Sequence, residues 1–131
     1  MTLMRYLGID YGKKKVGLAI SDPSGSIAFP LTVLDNGPKL AEHLAKLTTE
    51  EGVGEIVLSE SLDYRHQPNP VMAEVAELKE RLEAEFDLTV HLQPEWLTSR
   101  EAERDIGLDK ISHARAAAVM LRSFLETRRH K

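Results

Sequence analysis

Two short apolar runs open the chain, and a turn that contains glycine and lysine joins them. Residues 3–10 (LMRYLGID) and 15–21 (KVGLAIS) have the length and the aliphatic composition of strands, and residues 11–14 between them carry Gly12. Two such runs separated by a short glycine-containing segment predict a β-hairpin. The predicted hairpin places the start of the chain in a sheet with at least two neighbouring antiparallel strands.

Behind the hairpin, strand-like and helical segments alternate. A strand over 26–34 contains Pro30, which confines it to a sheet edge or a bulge because proline lacks an N–H for the ladder. The remaining predicted elements are, in chain order, a helix over about 38–49, a strand over 55–59, a helix over about 70–86, a strand over 88–92, a short helix over 97–106 and a helix over about 111–128. The order β-β-β-α-β-α-β-α-α predicts one α/β domain over residues 1–131, with a five-stranded mixed sheet flanked by helices.

Composition excludes several classes of protein. The chain has no cysteine, so disulfides, thiol chemistry and cysteine-bound zinc are ruled out. No apolar run is long enough to span a membrane, and the first residues lack the pattern of a secretion signal, so we expect a cytoplasmic protein with no membrane partner. A formal net charge of −4 disfavours binding to nucleic acid by overall charge. Cationic residues are nevertheless clustered at Lys13–Lys15 and in the final segment RSFLETRRHK.

Three polar residues stand where α/β proteins place their sites. Asp10 ends the first predicted strand and Glu95 follows the fifth, and strand ends at one edge of a sheet can converge on a ligand. His113 continues the apolar stripe of the last helix backwards, so we expect it to face the sheet near the start of that helix. A neutral imidazole there can bind a metal or accept a proton. The other residues of the stripe are Ala116, Ala117, Met120, Leu121 and Phe124.

In combination, these residues suit a divalent metal site that acts on phosphodiesters. Mg²⁺ and Mn²⁺ prefer oxygen ligands, and a metal held by carboxylates can activate water and neutralise phosphate charge during in-line attack. Lys13, Lys14 and Lys15, beside Asp10, would hold the phosphate backbone.

Each of these residues also has a structural interpretation when it is taken alone. Asp10 can cap a turn, Glu95 can be a solvated loop residue, and His113 can be a core histidine with satisfied hydrogen bonds. The three lysines can form a solvated turn. Only the combination favours the metal site.

Three segments resemble a known family. "GIDYGKKKVGLAISD" is similar to an opening signature, "EWLTSREAERDI" to an Asp-Glu-Arg-Leu-Thr-Thr segment with a Glu-Ala run behind it, and "HARAAAVMLRSFL" to a final helix with Asp-x-x-Ala-Ala. In all three segments the chain resembles the YqgF (RuvX) family, relatives of the RuvC Holliday junction resolvases. The resemblance covers nearly the whole chain. It implies an RNase H-like nuclease domain that cleaves structured RNA or branched DNA with Mg²⁺ or Mn²⁺, as a pre-16S rRNA nuclease or a junction resolvase.

The resemblance also implies roles for individual residues. Asp10 matches the first catalytic acid of the family and Glu95 the second, whereas His113 stands where the family has its third acid, an aspartate. A histidine keeps one ligand atom but loses a negative charge, which should weaken Mg²⁺ and favour the softer Mn²⁺. Glu60, at the end of the strand over 55–59, which we take as central, would restore that charge as a further ligand. An exposed glutamate at a strand end is the alternative.

The chain departs from the family elsewhere, and further nucleic-acid contacts are expected nearby. The family's Gly-Leu-Pro is here 59–61 (SES), and Pro94 and Trp96 replace the Asp and Arg that flank the second acid. Trp96 would stack on an unpaired base, or simply pack against the domain. Thr98 and Glu101 also fit a capping box for the short helix. The expected contacts with nucleic acid are Lys13, Lys14, Lys15, Arg65, Trp96, Thr98, Ser99 and Arg100.

Two other classes of function stay open. A family member that has lost its third acid can bind nucleic acid without cutting it. The segment GIDYG is also similar to the first phosphate loop of actin-like ATPases, although those need two such lobes and this chain supplies one. Within the nuclease class, two symmetric cuts in a four-way junction require a homodimer, whereas a monomer suffices for RNA processing.

Overall fold

The computed structural model describes residues 4–62, 71–96 and 110–129, which form a five-stranded sheet with helices on both faces. The elements are β1 (Arg5–Asp10), β2 (Lys15–Ser21), β3 (Ala28–Asp35), α1 (Leu40–Glu51), β4 (Val53–Leu62), α2 (Met72–Phe86), β5 (Thr89–Trp96) and α3 (Lys110–Arg129). The sheet order is β3-β2-β1-β4-β5. β2 is antiparallel to β1 and β3, whereas β4 is parallel to β1 and β5. The predicted α/β class and the mixed five-stranded sheet are confirmed.

The predicted boundaries of the helices agree with α1, α2 and α3 to within about two residues. The short helix predicted over 97–106 lies outside the described residues. Across the described ranges, no helix combines the length and the hydropathy that crossing a membrane requires.

Two strands are longer than predicted. β4 continues to Leu62 and β5 to Trp96, and the two pair in parallel up to these last residues. Glu95 therefore lies within β5, opposite Ser61, rather than after the strand. Both extensions begin with polar residues, so the apolar runs that predict the strands stop too early. β5 tolerates Pro94 because it is an edge strand.

The prediction for Pro30 is confirmed in both of its forms. β3 is the other edge strand of the sheet. The register between β2 and β3 shifts at the same point, because Leu18 is opposite Thr32 and Ala19 is opposite Pro30. Leu31 is the extra residue of this irregularity. An edge position and a bulge both remove the need for the N–H that proline lacks.

The sheet separates two cores. The larger core lies under α1 and α2, and the smaller lies under α3. Complete burial of one leucine or isoleucine side chain contributes about 1.5–3 kcal/mol, so the larger core supplies most of the stability. The side chains at the centre of the larger core are Leu7, Ile9, Leu44, Leu58 and Leu82, and those of the smaller core include Tyr6, Val57, Ala117, Leu121 and Phe124.

Helix α3 lies directly against the sheet, as its run of small residues predicts. A Cβ at position 17 of β2 would be 2.1 Å from the carbonyl oxygen of His113, so only glycine permits this approach. Farther along, a Cβ at position 8 of β1 would be 2.9 Å from the Cβ of Leu121. The helix therefore starts over β2 and runs across β1. This path determines which residues face the edge where β1 ends.

Candidate functional site

Asp10 is the last residue of the central strand β1, at the edge where the parallel strands β1, β4 and β5 all end. It pairs with Gly17 on β2 and is partly exposed. Alternation along β1 assigns its face, since position 8 contacts α3 and Ile9 is buried in the core under α1 and α2. Asp10 therefore lies on the α3 face of the sheet, at an accessible edge.

His113 is brought close to Asp10 by the start of α3. Its carbonyl oxygen lies against Gly17, the residue that pairs with Asp10. The ring centroid of Phe124, eleven positions further along the same flank of the helix, lies 5.1 Å from that of His91 on β5. His113 is partly exposed and shares this flank of α3 with Phe124, at the end of the helix that lies beside Asp10.

Glu95 shares the edge and the face of Asp10 by its position in the strand. Its partner on β4 is Ser61. His91 contacts α3, so alternation places positions 91, 93 and 95 on the α3 face. Neighbouring strands are about 4.8 Å apart, so position 95 is two strand spacings from β1. The side chain of Glu95 lies outside the described part of the structure.

Glu60 lies on the opposite face. The centre of the sheet is β1, so β4 is the strand beside the centre rather than the central strand of the prediction. Leu58 is buried in the core under α1 and α2, and alternation along β4 places Glu60 on the same side. Glu60 is partly exposed there, while Ser59 falls on the face of Asp10. The structure therefore does not bring Glu60 together with Asp10.

The lysine-bearing turn between β1 and β2 is fastened to the end of β3. The side-chain amide of Asn36 donates to the Gly12 carbonyl at 2.8 Å, and its backbone N–H donates to the Lys14 carbonyl at 2.9 Å. Lys13 and Lys14 are exposed. Lys15 forms an ion pair with Asp35, its cross-strand partner on β3. Surface pairs of this kind contribute about 0–1 kcal/mol, so the pair holds Lys15 only weakly.

Tyr11 anchors the chain directly after Asp10. Its backbone N–H donates to Ser59 Oγ at 3.1 Å, and its hydroxyl donates to Glu74 Oε1 at 3.2 Å. Burial is the largest cause that raises the pKa of the Tyr11 hydroxyl; a hydrogen bond with Asn36 opposes it, and the Glu74 carboxylate adds to it. The hydroxyl therefore stays protonated and able to donate at neutral pH.

The donor chemistry at this edge fits a divalent cation. Asp10 offers carboxylate oxygens and His113 offers an imidazole nitrogen, a set that Mn²⁺ accepts more readily than Mg²⁺. Within residues 4–62, 71–96 and 110–129, no three His, Asp or Glu side chains are grouped closely enough to hold a metal ion. A metal bound at Asp10 would therefore need further ligands from water or from side chains outside the described part of the structure.

Several predicted contacts cannot be placed on this surface. Arg65, Thr98, Ser99 and Arg100 lie outside the described residues. Trp96 is the last residue of β5, and its backbone pairs with Leu62. The proposed nucleic-acid surface therefore rests, within the described chain, on Lys13, Lys14 and Lys15.

The fold belongs to the RNase H-like class, with RuvC as its structural relative. The chain is similar to Thermus thermophilus RuvC in complex with a Holliday junction substrate, with a TM-score of 0.62 and 19% sequence identity over 97% of this chain and 96% of that one. A second structure of T. thermophilus RuvC gives a TM-score of 0.58 at 16% identity. The family is RuvX, described as Holliday junction resolvase: its model matches residues 4–127, and this chain belongs to it.

Relatives by sequence span the same length. A protein of Nitratidesulfovibrio vulgaris named "Putative pre-16S rRNA nuclease" is 34% identical and covers 93% of each chain. A protein of Chloroflexus aggregans with the same name is 32% identical, over 95% of this chain and 94% of its own. The predicted resemblance to the YqgF (RuvX) family is thus confirmed.

Sequence reasoning missed two residues that shape the site. Ser59 and Asn36 make side-chain hydrogen bonds to backbone groups 48 and 24 positions away. A serine near the end of a strand and an asparagine in a turn are common, and neither carries a local signal for such a contact. Only the strand order brings them next to the segment after Asp10.

Proposed function

We propose that this chain is a divalent-metal-dependent nuclease that hydrolyses phosphodiester bonds in structured nucleic acid. The observation that carries the proposal is the placement of Asp10. This carboxylate ends the central strand, is partly exposed, lies beside the start of α3 with His113, and is followed by exposed lysines. The family of the chain and the names of its relatives support the same class of reaction.

In this proposal, the residues at the edge of the sheet beside Asp10 have two roles, metal binding and phosphate binding. Asp10 and Glu95 would hold the metal through carboxylate oxygens, and His113 would ligate it or accept a proton. When bound, a divalent metal activates the attacking water and neutralises charge on the phosphodiester. Lys13 and Lys14 attract the phosphate backbone and orient it across the edge of the sheet. Glu60 lies on the other face of the sheet, so the proposal does not include it among the ligands.

We propose precursor 16S ribosomal RNA as the first candidate substrate and a four-way DNA junction as the second, with the cytoplasm as the place of action. The names of the relatives favour the RNA, whereas the description of the family model favours the junction. The chain can act on the RNA as a monomer, but two symmetric cuts in a junction need a homodimer.

The decisive experiment is a cleavage panel with a matched control. Wild type, Asp10→Asn and Asp22→Asn are incubated with end-labelled precursor RNA, four-way junction, duplex and single strands, each with Mg²⁺, Mn²⁺ or chelator. Asp22 undergoes the same chemical change at the opposite end of the sheet. We expect Asp10→Asn to lower cleavage by more than about 100-fold. Losing a residue that only orients a metal ligand costs up to about 100-fold, and Asp10 would be a ligand itself. Asp22→Asn should cut like wild type.

If Asp10→Asn cuts as fast as wild type, Asp10 has no catalytic role and the proposed site is wrong. Products that form equally in the presence of chelator would instead remove the metal from the proposal.

A binding module that has lost catalysis is the second candidate. It is favoured by the histidine at position 113 and by the lack, within the described ranges, of three grouped metal ligands. The same panel separates the two functions: a binding module retards the substrates on a native gel but yields no metal-dependent products.

A further inference from the structure

Ser59 makes a contact that the proposed chemistry does not use. It is 1% exposed, and its Oγ accepts the backbone N–H of Tyr11 at 3.1 Å. The paired register of β1 and β4 ends one step earlier, at Ile9 and Leu58. A side-chain hydroxyl therefore holds the chain to β4 just beyond the point where main-chain pairing ends.

The contact acts on the residue that follows Asp10. Asp10 is held from one side by its pairing with Gly17 on β2. On the β4 side, the next amide is held by Ser59, and the Tyr11 hydroxyl fixes the same residue to Glu74 on α2. With the residue after it anchored, Asp10 has little freedom to swing away from the edge.

We propose that Ser59 is a positioning residue for Asp10. Its hydroxyl holds the Tyr11 amide against β4 and thereby keeps the Asp10 carboxylate oriented on the α3 face for metal binding. This inference rests on the proposed function of Asp10 as a metal ligand. An outer contact that orients a ligand typically changes metal affinity or activity by about 10–100-fold.

The opposite end of β1 provides a matched control. The Oγ of Ser21 accepts the backbone N–H of Tyr6 at 2.8 Å, and Ser21 is also 1% exposed. Both serines are buried, and each accepts a backbone N–H through its hydroxyl, Ser21 from a residue within β1 and Ser59 from the residue directly after it. They differ in position, because Ser21 lies at the far end of the sheet from Asp10, and in one further hydrogen bond, since the Ser21 hydroxyl also donates to the Asp22 carbonyl at 2.9 Å. Ser21→Ala therefore carries the general cost of losing a buried hydroxyl at a site remote from Asp10.

The test uses three measurements on wild type, Ser59→Ala, Ser59→Thr and Ser21→Ala. The first is hydrogen exchange of the Tyr11 and Tyr6 amides by NMR. The second is the affinity for Mn²⁺ measured by electron paramagnetic resonance. The third is the kinetics of cleavage, with kcat and KM separated.

We expect Ser59→Ala to expose the Tyr11 amide to exchange. It should also lower both Mn²⁺ affinity and kcat by about 10-fold. The KM for nucleic acid should stay within about twofold of the wild-type value. Ser59→Thr keeps the hydroxyl and should recover most of both losses. Ser21→Ala should release the Tyr6 amide and leave Mn²⁺ affinity and kcat unchanged.

Two results would overturn the positioning role. One is wild-type Mn²⁺ affinity and kcat in Ser59→Ala; the other is an equal loss in Ser21→Ala, which would reduce the effect to general stability. A Tyr11 amide that exchanges in wild type as fast as in an unfolded chain would also overturn it, without any variant.

Failure of the proposed function gives a different pattern. If wild type cuts no substrate while Mn²⁺ affinity still falls only in Ser59→Ala, the positioning role stands and the nuclease assignment fails. If wild type cuts and Ser59→Ala is indistinguishable from it, the positioning role alone fails.

Discussion

The two ends of the sheet carry different kinds of side chain. The aromatic end, defined by Tyr6, His91, Phe124 and Arg128, packs Phe124 edge-on to Tyr6 at 5.7 Å and places the Arg128 guanidinium 5.4 Å from the Phe124 ring. A 2.6 Å contact between His91 Nε2 and Glu55 Oε1 adds a polar link between β4 and β5. The carboxylate end, defined by Asp10, Lys13, Lys14 and His113, is partly or fully exposed.

One helix flank joins the two ends. His113 and Phe124 are eleven positions apart on α3, which corresponds to about 16 Å along the helix. At that separation the effects of substitutions usually add independently. This helix therefore packs an aromatic side chain into the domain at one end and places a partly exposed histidine at the other. Substitutions at the two ends should accordingly have separable effects.

Phe124→Ala should have the largest effect on stability. Phe124 is 8% exposed, and truncation of a buried phenylalanine costs about 3–5 kcal/mol. Urea unfolding followed by circular dichroism measures the loss. Because the carboxylate end is remote, the folded fraction should keep the wild-type metal dependence of cleavage. A changed Mn²⁺ affinity in the folded fraction would show that the two ends are coupled.

His113→Asp should have the next largest effect, and on chemistry rather than stability. The change adds an oxygen ligand and a negative charge beside Asp10, so cleavage with Mg²⁺ should rise by about 10-fold relative to cleavage with Mn²⁺. An acidic residue in the first turn of α3 also suits the helix dipole, so the unfolding free energy should change by less than about 1 kcal/mol.

The matched control for this change is Ser123→Asp, on an exposed part of the same helix. If the ratio of Mg²⁺ to Mn²⁺ activity is the same in His113→Asp and in wild type, position 113 does not contact the metal.

The carboxylate end was easier to predict from sequence than the aromatic end. Asp10 stands at the junction of an apolar run and a glycine turn, and His113 continues a helical stripe; both are local patterns. The aromatic end depends on Tyr6, His91 and Phe124, which come from three elements that only the strand order brings together. Local hydrophobic patterns predict that Tyr6 and Phe124 are buried, but they do not predict the contacts among the three side chains.

The differences between the predicted and observed ends of β4 and β5 have a common physical cause. Glu60 and Glu95 lie beyond the apolar runs of β4 and β5. There the pairing between the two strands, and not hydrophobicity, keeps the chain in a strand. Once a strand continues, alternation decides the face, and it places Glu60 away from Asp10. The contacts of Ser59 and Asn36 are also not predictable from the sequence. No periodic pattern marks a hydroxyl or an amide that binds a distant backbone group.

Asp22→Asn should give the smallest effect, at the aromatic end, and the effect should disappear in acid. Asp22 closes the loop between β2 and β3, where it accepts hydrogen bonds from the Ser24 hydroxyl and from the backbone N–H groups of Ile27 and Ser26. These hydrogen bonds, that of Ser24 foremost, lower the pKa of Asp22 from 3.8 to about 2. The folded protein therefore holds this proton less readily than the unfolded chain.

The sign of the pH dependence follows from that lowered pKa. The stability that Asp22 contributes is fully present above its unfolded pKa of 3.8 and is lost as the pH falls towards about 2. The difference in unfolding free energy between wild type and Asp22→Asn should be constant at higher pH and shrink across that window. Ser24→Ala should reproduce part of the change because its hydroxyl is the main cause of the shift. Urea titrations at several acid pH values measure the unfolding free energy of each variant. If the difference between wild type and Asp22→Asn stays constant down to pH about 2, the loop does not hold the Asp22 carboxylate as described.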